Sequence, residues 1–98
     1  MILNAKNKTL RYNLKTLELT DKETKLLLLL ADNKIHRISE IRKYLKYITD
    51  FQTRLVINGL RRKLMIKFHI YLIRKVKKEH KLLGVDFYRT NYIIAITY

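Results

Sequence analysis

The first 19 residues place hydrophobic side chains at alternate positions, in short groups. Leu10, Tyr12 and Leu14 form one group, Leu17 and Leu19 form another, and asparagines interrupt the pattern. A period of two is typical of a half-buried β-strand, and asparagine tolerates the backbone conformations of tight turns. Residues 1–19 are therefore predicted to form short antiparallel strands.

At residue 20 the period changes from that of a strand to that of a helix. Thr20 and Glu23 have the spacing of a capping box, in which the two side chains accept hydrogen bonds from the first free N–H groups of a helix. A helix is predicted over residues 21–32. Its apolar face is expected to consist of Leu27, Leu28 and Ala31, with Leu30 at the flank.

Two further helical patterns follow. Ile35 is predicted to lie in a very short strand, and Ile38, Ile41 and Leu45 then recur at the spacing of a second helix of about nine residues. After a short loop, a third helix is predicted over residues 51–66. Its buried face is predicted to be Thr53, Ile57, Leu60 and Leu64, with Arg54, Asn58, Arg61 and Arg62 away from that face. Gly59 weakens this helix by about 1 kcal/mol relative to alanine.

Beyond Lys67 the chain is rich in Ile, Tyr, Val and Phe, which favour strands. We expect a strand, a charged turn at residues 77–80, a return strand through residues 82–87 and a last strand over residues 92–97. Four aromatic residues are expected to be sheet core and not stacking platforms: Tyr71, Tyr88, Tyr92 and Phe87.

The order of elements is helix, short strand, short helix, loop, basic helix, then strand, turn and strand. This order describes a helix-turn-helix with a hairpin wing, in which the third helix enters the major groove and the basic turn reaches the minor groove. We expect one α+β winged helix-turn-helix domain over residues 1–98. Residues 1–19 would form an N-terminal antiparallel sheet, residues 20–66 a three-helix core, and residues 67–98 the wing and C-terminal strands.

Charge sharpens this picture. The 98 residues carry 22 Lys or Arg and 8 Asp or Glu, for a formal net charge of +14. Residues 51–81 contain ten basic residues and one acidic residue, a net charge of +9, whereas the other 67 residues contribute only +5. This concentration predicts a nucleic-acid surface on one face, because neutralisation of phosphates supplies most non-specific affinity. The alternative is a coding bias towards Lys, Asn, Ile and Leu without functional meaning.

The sequence carries no signal for catalysis or for a cofactor. It has no Cys, one Ser, no phosphate-binding Gly-rich loop, and three widely separated histidines at His36, His69 and His80. A metal site, a bound cofactor and enzymatic activity are therefore not expected. No signal peptide or apolar stretch of about 18 residues is present, so a cytoplasmic location is the default expectation.

Three motifs resemble those of OmpR/PhoB-type response-regulator effector domains. Residues 19–23 (LTDKE) with 27–31 (LLLLA) resemble the "LTxxE…LLLLL" opening of that family, residues 56–64 (VINGLRRKL) its "HISRLRKKL" recognition helix, and residues 71–77 (YLIRKVK) its "IRTVRG" strand. They occur in order, and the resemblance covers residues 2–83. It implies a four-stranded N-terminal sheet and binding to DNA as a dimer or in tandem.

Candidate contacts follow from the third helix and the wing. Arg61 is expected to contact phosphate, with Arg62 as a second candidate, beside Lys63. Arg54 and Asn58 are candidates for base edges, since Arg can bridge a guanine and Asn an adenine. Lys77 and Lys78 are expected to be wing contacts. The resemblance also aligns residues 47–51 with a loop that can touch RNA polymerase, although an ordinary connector is the favoured interpretation.

The chain departs from the family pattern at several of these positions. Gly59 replaces a usual Arg, Arg54 a frequent Asp, and Val56 a frequent phosphate-contacting His. The receiver domain that normally precedes this effector is absent, so a complete chain could not be switched by its own phosphorylation. We expect a transcription regulator that binds double-stranded DNA. The alternatives are a winged-helix adaptor that binds a protein of the transcription machinery, and a small basic RNA-binding protein.

Overall fold

The computed structural model of the chain describes residues 1–76 and 86–98. In chain order these residues form β1 (Ile2–Asn4), β2 (Thr9–Tyr12), β3 (Lys15–Glu18), α1 (Asp21–Leu30), β4 (His36–Arg37), α2 (Ile38–Tyr44), α3 (Asp50–Phe68), β5 (Ile73–Val76), β6 (Phe87–Thr90) and β7 (Ala95–Thr97). They make one compact α+β domain with three helices and two sheets. The predicted α+β class is therefore confirmed.

The first sheet is built from both ends of the chain. Its strand order is β3-β2-β1-β7, in which β1 pairs antiparallel with β2 and parallel with β7. Ile2 lies opposite Ala95 in the parallel pair, and the N–H of Ala5 donates to the carbonyl of Thr97 at 2.9 Å. The expectation of a four-stranded sheet within the N-terminal segment is therefore wrong, because the fourth strand comes from the C-terminus.

The second sheet is antiparallel throughout, in the order β4-β6-β5. Ile73 of β5 lies opposite Thr90 of β6, and His36 of β4 lies opposite Tyr88 of β6. The predicted charged turn, with Lys77 and Lys78, lies outside the described residues. Their proposed role as wing contacts stays a prediction.

The hydrophobic core lies between the three helices and the two sheets. On α3, every residue of the predicted buried face is completely buried, and the face continues to Phe68. On α1 the predicted face is wrong in part, since Leu28 and Ala31 are only half-buried and the core-facing side is formed by Glu23, Thr24, Leu26, Leu27 and Leu30. A continuous run of six apolar residues, 26–31, gave no unique face.

Element ends differ from the predictions by a few residues. Helix α1 ends at Leu30, the short strand begins at His36 and not Ile35, and α2 spans seven residues. Helix α3 begins at Asp50 because Thr49 and Gln52 form a capping box. Tyr71 is exposed, contrary to its predicted place in the sheet core, because β5 begins only at Ile73. Within the described ranges, no helix is long and apolar enough to cross a bilayer.

Candidate nucleic-acid interface

Helix α3 is capped at both ends, and an ion pair joins its N-terminus to α2. The capping box at Thr49 fixes its N-terminus, with the N–H of Gln52 donating to Thr49 Oγ1 at 3.2 Å. Arg42 of α2 forms an ion pair with Asp50 at 2.9 Å, which joins the two helices across the turn between them. His69 closes the C-terminus in the left-handed conformation, with φ 57°. Because one face of this 19-residue helix is buried in the core, its opposite side is presented to solvent.

Three of the predicted contact residues form one continuous surface on this helix. Asn58 and Arg62 are one turn apart and exposed, and Arg61, next to Arg62 in the sequence, is half-buried. Neither Arg61 nor Arg62 forms an ion pair with an acidic residue of 1–76 or 86–98. Both charges are therefore available to an anionic partner.

Arg54 is held differently from its predicted role as a base reader. Its Nε donates to Asp86 Oδ2 at 3.0 Å, and Lys75 Nζ lies 3.1 Å from the other oxygen of the same carboxylate. Asp86 thus joins α3 to β5 with two cations on one anion. A guanidinium that is anchored in this way has to leave Asp86, or share it, before it can bridge a guanine. Its base contact stays a prediction.

The charges around Asp86 also shift the pKa of its carboxyl group. Burial alone would raise the pKa of Asp86, but the hydrogen bonds from Arg54 and Lys75 outweigh burial and hold it below the ordinary range of an aspartate. The hydrogen bond to Asp86 raises the pKa of Arg54. Asp86 is therefore ionised at neutral pH and keeps both cations in place.

Lys63 lies on a different side of α3 from Arg61. Two residues of helix rotate a side chain by about 200°, so Lys63 faces α1. Its Nζ lies 2.7 Å from Oε1 of the buried Glu23, which also accepts from the N–H of Thr20 at 2.8 Å. Lys63 thus neutralises a buried carboxylate and does not lie on the surface formed by Arg61 and Arg62. Its contact with DNA stays a prediction.

Apolar side chains also lie on the exposed side of α3, and their exposure was not predicted from the sequence. Phe51, Leu55 and Ile66 are 67%, 57% and 70% exposed, and Ile48, just before the helix, is 85% exposed. Their spacing places them on the side opposite the buried face, near Asn58 and Arg62. The sequence does contain a signal for them, because these apolar residues fall at helical positions that do not belong to the buried face.

A second cluster missed in the sequence surrounds His36. Its Nδ1 lies 2.8 Å from Glu40 Oε1 and its Nε2 lies 2.9 Å from both carboxylate oxygens of Asp32. Burial opposes protonation, but the hydrogen bonds to the two carboxylates outweigh it and raise the pKa of His36. The cluster connects the loop after α1 to α2. In the sequence, the signal for this cluster is the spacing of four residues between Asp32, His36 and Glu40.

Basic side chains are not confined to α3. Arg74 and Arg89 are a cross-strand pair in β5 and β6, and their neighbours Ile73, Tyr88 and Thr90 are buried. Because side chains alternate across a sheet, both arginines lie on the side away from the core. The expectation that the concentrated charge lies on one face is therefore wrong in part.

Among the described residues, no group of three or more metal-ligating side chains could bind a metal ion. Comparison of the chain with protein-family models, curated proteins and solved structures finds no significant match. The resemblance to OmpR/PhoB-type effector domains stays a prediction that depends on the three motifs alone.

Proposed function

We propose that this protein binds double-stranded DNA through the exposed side of α3 and regulates transcription as a winged helix-turn-helix. The observation that carries the proposal is the surface formed by Asn58, Arg61 and Arg62. This surface lies on a helix whose opposite face is completely buried, and its arginines have no acidic partner in the described part of the chain.

The chemistry of this surface suits the major groove, which is wide enough for an α-helix. Arg62 and Arg61 would contact phosphates on either side of the helix axis. Asn58, between them, can form two hydrogen bonds with an adenine edge. Leu55 and Phe51 would face the same groove, where apolar side chains contact thymine methyl groups.

Long-range attraction would support these contacts. A net charge of +14 on 98 residues draws the domain to a polyanion, and the attraction weakens as salt screens it. About six phosphate contacts would give a slope near −5 in a plot of log affinity against log salt concentration. The resemblance to the effector-domain family supports the same partner.

The proposal is tested by duplex binding of Arg61→Gln and Arg62→Gln, with Lys6→Gln as the matched control. Lys6 is an exposed lysine of the β1–β2 turn and pairs with no acidic residue in the described part of the chain, so its removal changes the net charge without touching α3. Each arginine variant is expected to bind all duplexes about tenfold more weakly than the control and to lower the salt slope by about 1. Equal affinity and slope in all three variants would refute the assigned surface.

A second function is favoured by the apolar part of the same helix face. Phe51, Leu55 and Ile66 would suit a protein partner, as in an adaptor of the transcription machinery. Leu55→Gln separates the two proposals: it would abolish capture of such a partner but leave most non-specific DNA affinity. Competition by structured RNA at fixed salt distinguishes an RNA-binding protein from both.

A further inference from the structure

Two arginines face each other on the outer side of the β4-β6-β5 sheet. Arg74 of β5 lies directly opposite Arg89 of β6 in the strand register. Within the part of the chain that the structure describes, neither arginine forms an ion pair. Like charges directly opposite each other in an antiparallel pair destabilise a sheet, so this pair opposes folding unless an anion lies between the two guanidinium groups.

A cavity lies at this pair. Its volume is about 440 Å³, and it is lined by Asn33, Arg74, Arg89, Thr90, Asn91, Tyr92 and Ile93. Volumes of about 300–1,000 Å³ are typical of small-molecule sites. The lining contributed by the described residues includes no acidic side chain. The nearest acid in sequence, Asp32, is occupied by His36 and by the N–H of Lys34 at 2.8 Å.

The floor of the cavity is fixed by local hydrogen bonds. Asn91 donates through its side chain to the carbonyl of Tyr71 at 2.9 Å and through its N–H to the carbonyl of Leu72 at 2.9 Å. Thr90 Oγ1 accepts from the N–H of Tyr92 at 3.2 Å. Asn33, in the left-handed conformation with φ 60°, makes no side-chain hydrogen bond within the described residues. As far as residues 1–76 and 86–98 are concerned, the cavity therefore combines two cations without an acidic partner, an amide without a hydrogen bond and a floor fixed by hydrogen bonds.

We propose that this cavity binds a phosphate group, held between the guanidinium groups of Arg74 and Arg89. Guanidinium groups pair with phosphate oxygens through two parallel hydrogen bonds, and the amide of Asn33 can donate to a third oxygen. Tyr92 and Ile93 complete the lining beside these polar groups. The phosphate could belong to a free ester or to a nucleic-acid backbone. Both arginines lie on the side of the sheet away from the core, and the proposal does not rest on DNA binding by α3.

The test measures binding of inorganic phosphate and of adenosine 5′-monophosphate to the full chain by calorimetry at low salt, with adenosine as the uncharged control. Arg74→Gln and Arg89→Gln are each expected to weaken binding of both phosphates by about tenfold. Each substitution also removes the like-charge repulsion, so both variants should unfold at the same temperature as the unmodified protein or higher. Lys6→Gln and Arg62→Gln should retain phosphate affinity.

Absence of saturable phosphate binding, or equal affinity in Arg89→Gln and Lys6→Gln, would overturn the proposal. A duplex-binding arm then identifies the source of the phosphate. If Arg89→Gln binds duplex DNA as tightly as Lys6→Gln does, the site takes a free phosphate ester. If Arg89→Gln loses duplex affinity and phosphate competes with the duplex, the site takes a backbone phosphate. Failure of the α3 surface would appear instead in Arg62→Gln, so the two proposals fail separately.

Discussion

Asp86→Asn should destabilise the domain by separating α3 from the second sheet. The carboxylate accepts from Arg54 at 3.0 Å and from Lys75 at 3.1 Å, and its side chain is only 18% exposed. Asparagine keeps the size of the side chain but removes its charge. Two neighbouring cations then lose the anion that holds them, and they repel each other.

The size of the effect follows from exposure. The side chains of Arg54 and Lys75 are 37% and 53% exposed, so solvent screens both pairs and each is weaker than a buried ion pair. Loss of the two charge-assisted hydrogen bonds to a mostly buried carboxylate gives a combined destabilisation of about 1.5 kcal/mol. For a domain of this size, that corresponds to a decrease in Tm of about 6–12 °C.

Thermal unfolding at neutral pH and low salt measures the effect, with Glu18→Gln as the matched control. Glu18 is exposed on β3 and has no ion pair in the described ranges, so its substitution raises the net charge equally without freeing a cation. The pKa of Asp86 is lowered in the fold, so its contribution is present at neutral pH and decreases as pH falls towards acid. A Tm for Asp86→Asn equal to that of Glu18→Gln would refute the role given to Asp86.

Two other predictions follow from single positions. His36→Gln should remove a stabilisation that is present below the ordinary histidine pKa of about 6.5 and decreases as pH rises through the raised pKa of His36, so the difference in Tm between the variant and the unmodified protein should become smaller towards alkaline pH; a Tm difference that stays constant with pH would contradict the ion-pair cluster. Gly59→Ala should stabilise α3 by about 1 kcal/mol, since a Cβ at this exposed position meets no neighbouring atom of residues 1–76 or 86–98 within 4 Å, and a decrease in Tm on thermal unfolding would contradict it.

The buried face of α3 could be predicted from the sequence because its signal is local. Thr53, Ile57, Leu60 and Leu64 repeat at the helical period, and all four are completely buried. The capping box at Thr20 was likewise visible as a short motif and is present in the structure. Such features depend on residues three or four positions apart, where geometry is fixed by the helix itself.

Contacts between distant segments could not be predicted in the same way. The parallel pairing of β7 with β1 joins residues more than 90 positions apart, and no local pattern identifies the partner of a strand. Lys63 and Arg54 were predicted to contact DNA together with other basic residues, because a basic residue in the sequence does not reveal which acidic residue it pairs with. Glu23 and Asp86, 40 and 32 residues away, decide where these two side chains lie.

The cavity between Arg74 and Arg89 could not be predicted either, because it depends on the pairing of two distant strands. In the sequence these residues are two of many basic positions in β-rich segments. Only the strand register places them opposite each other, and only the alternation of the sheet places both on its outer side. Charge concentration thus predicted an anionic partner but could not divide the basic residues between two surfaces.

The central claim, that DNA contacts the exposed side of α3, is tested most directly by NMR titration of the labelled protein with a short duplex. We expect the largest shifts at the Asn58 side chain and at the Arg61 and Arg62 guanidinium groups, with small shifts in β2 and β3. Shifts concentrated in the β3-β2-β1-β7 sheet, or absent from α3 at saturating duplex, would contradict the proposed function.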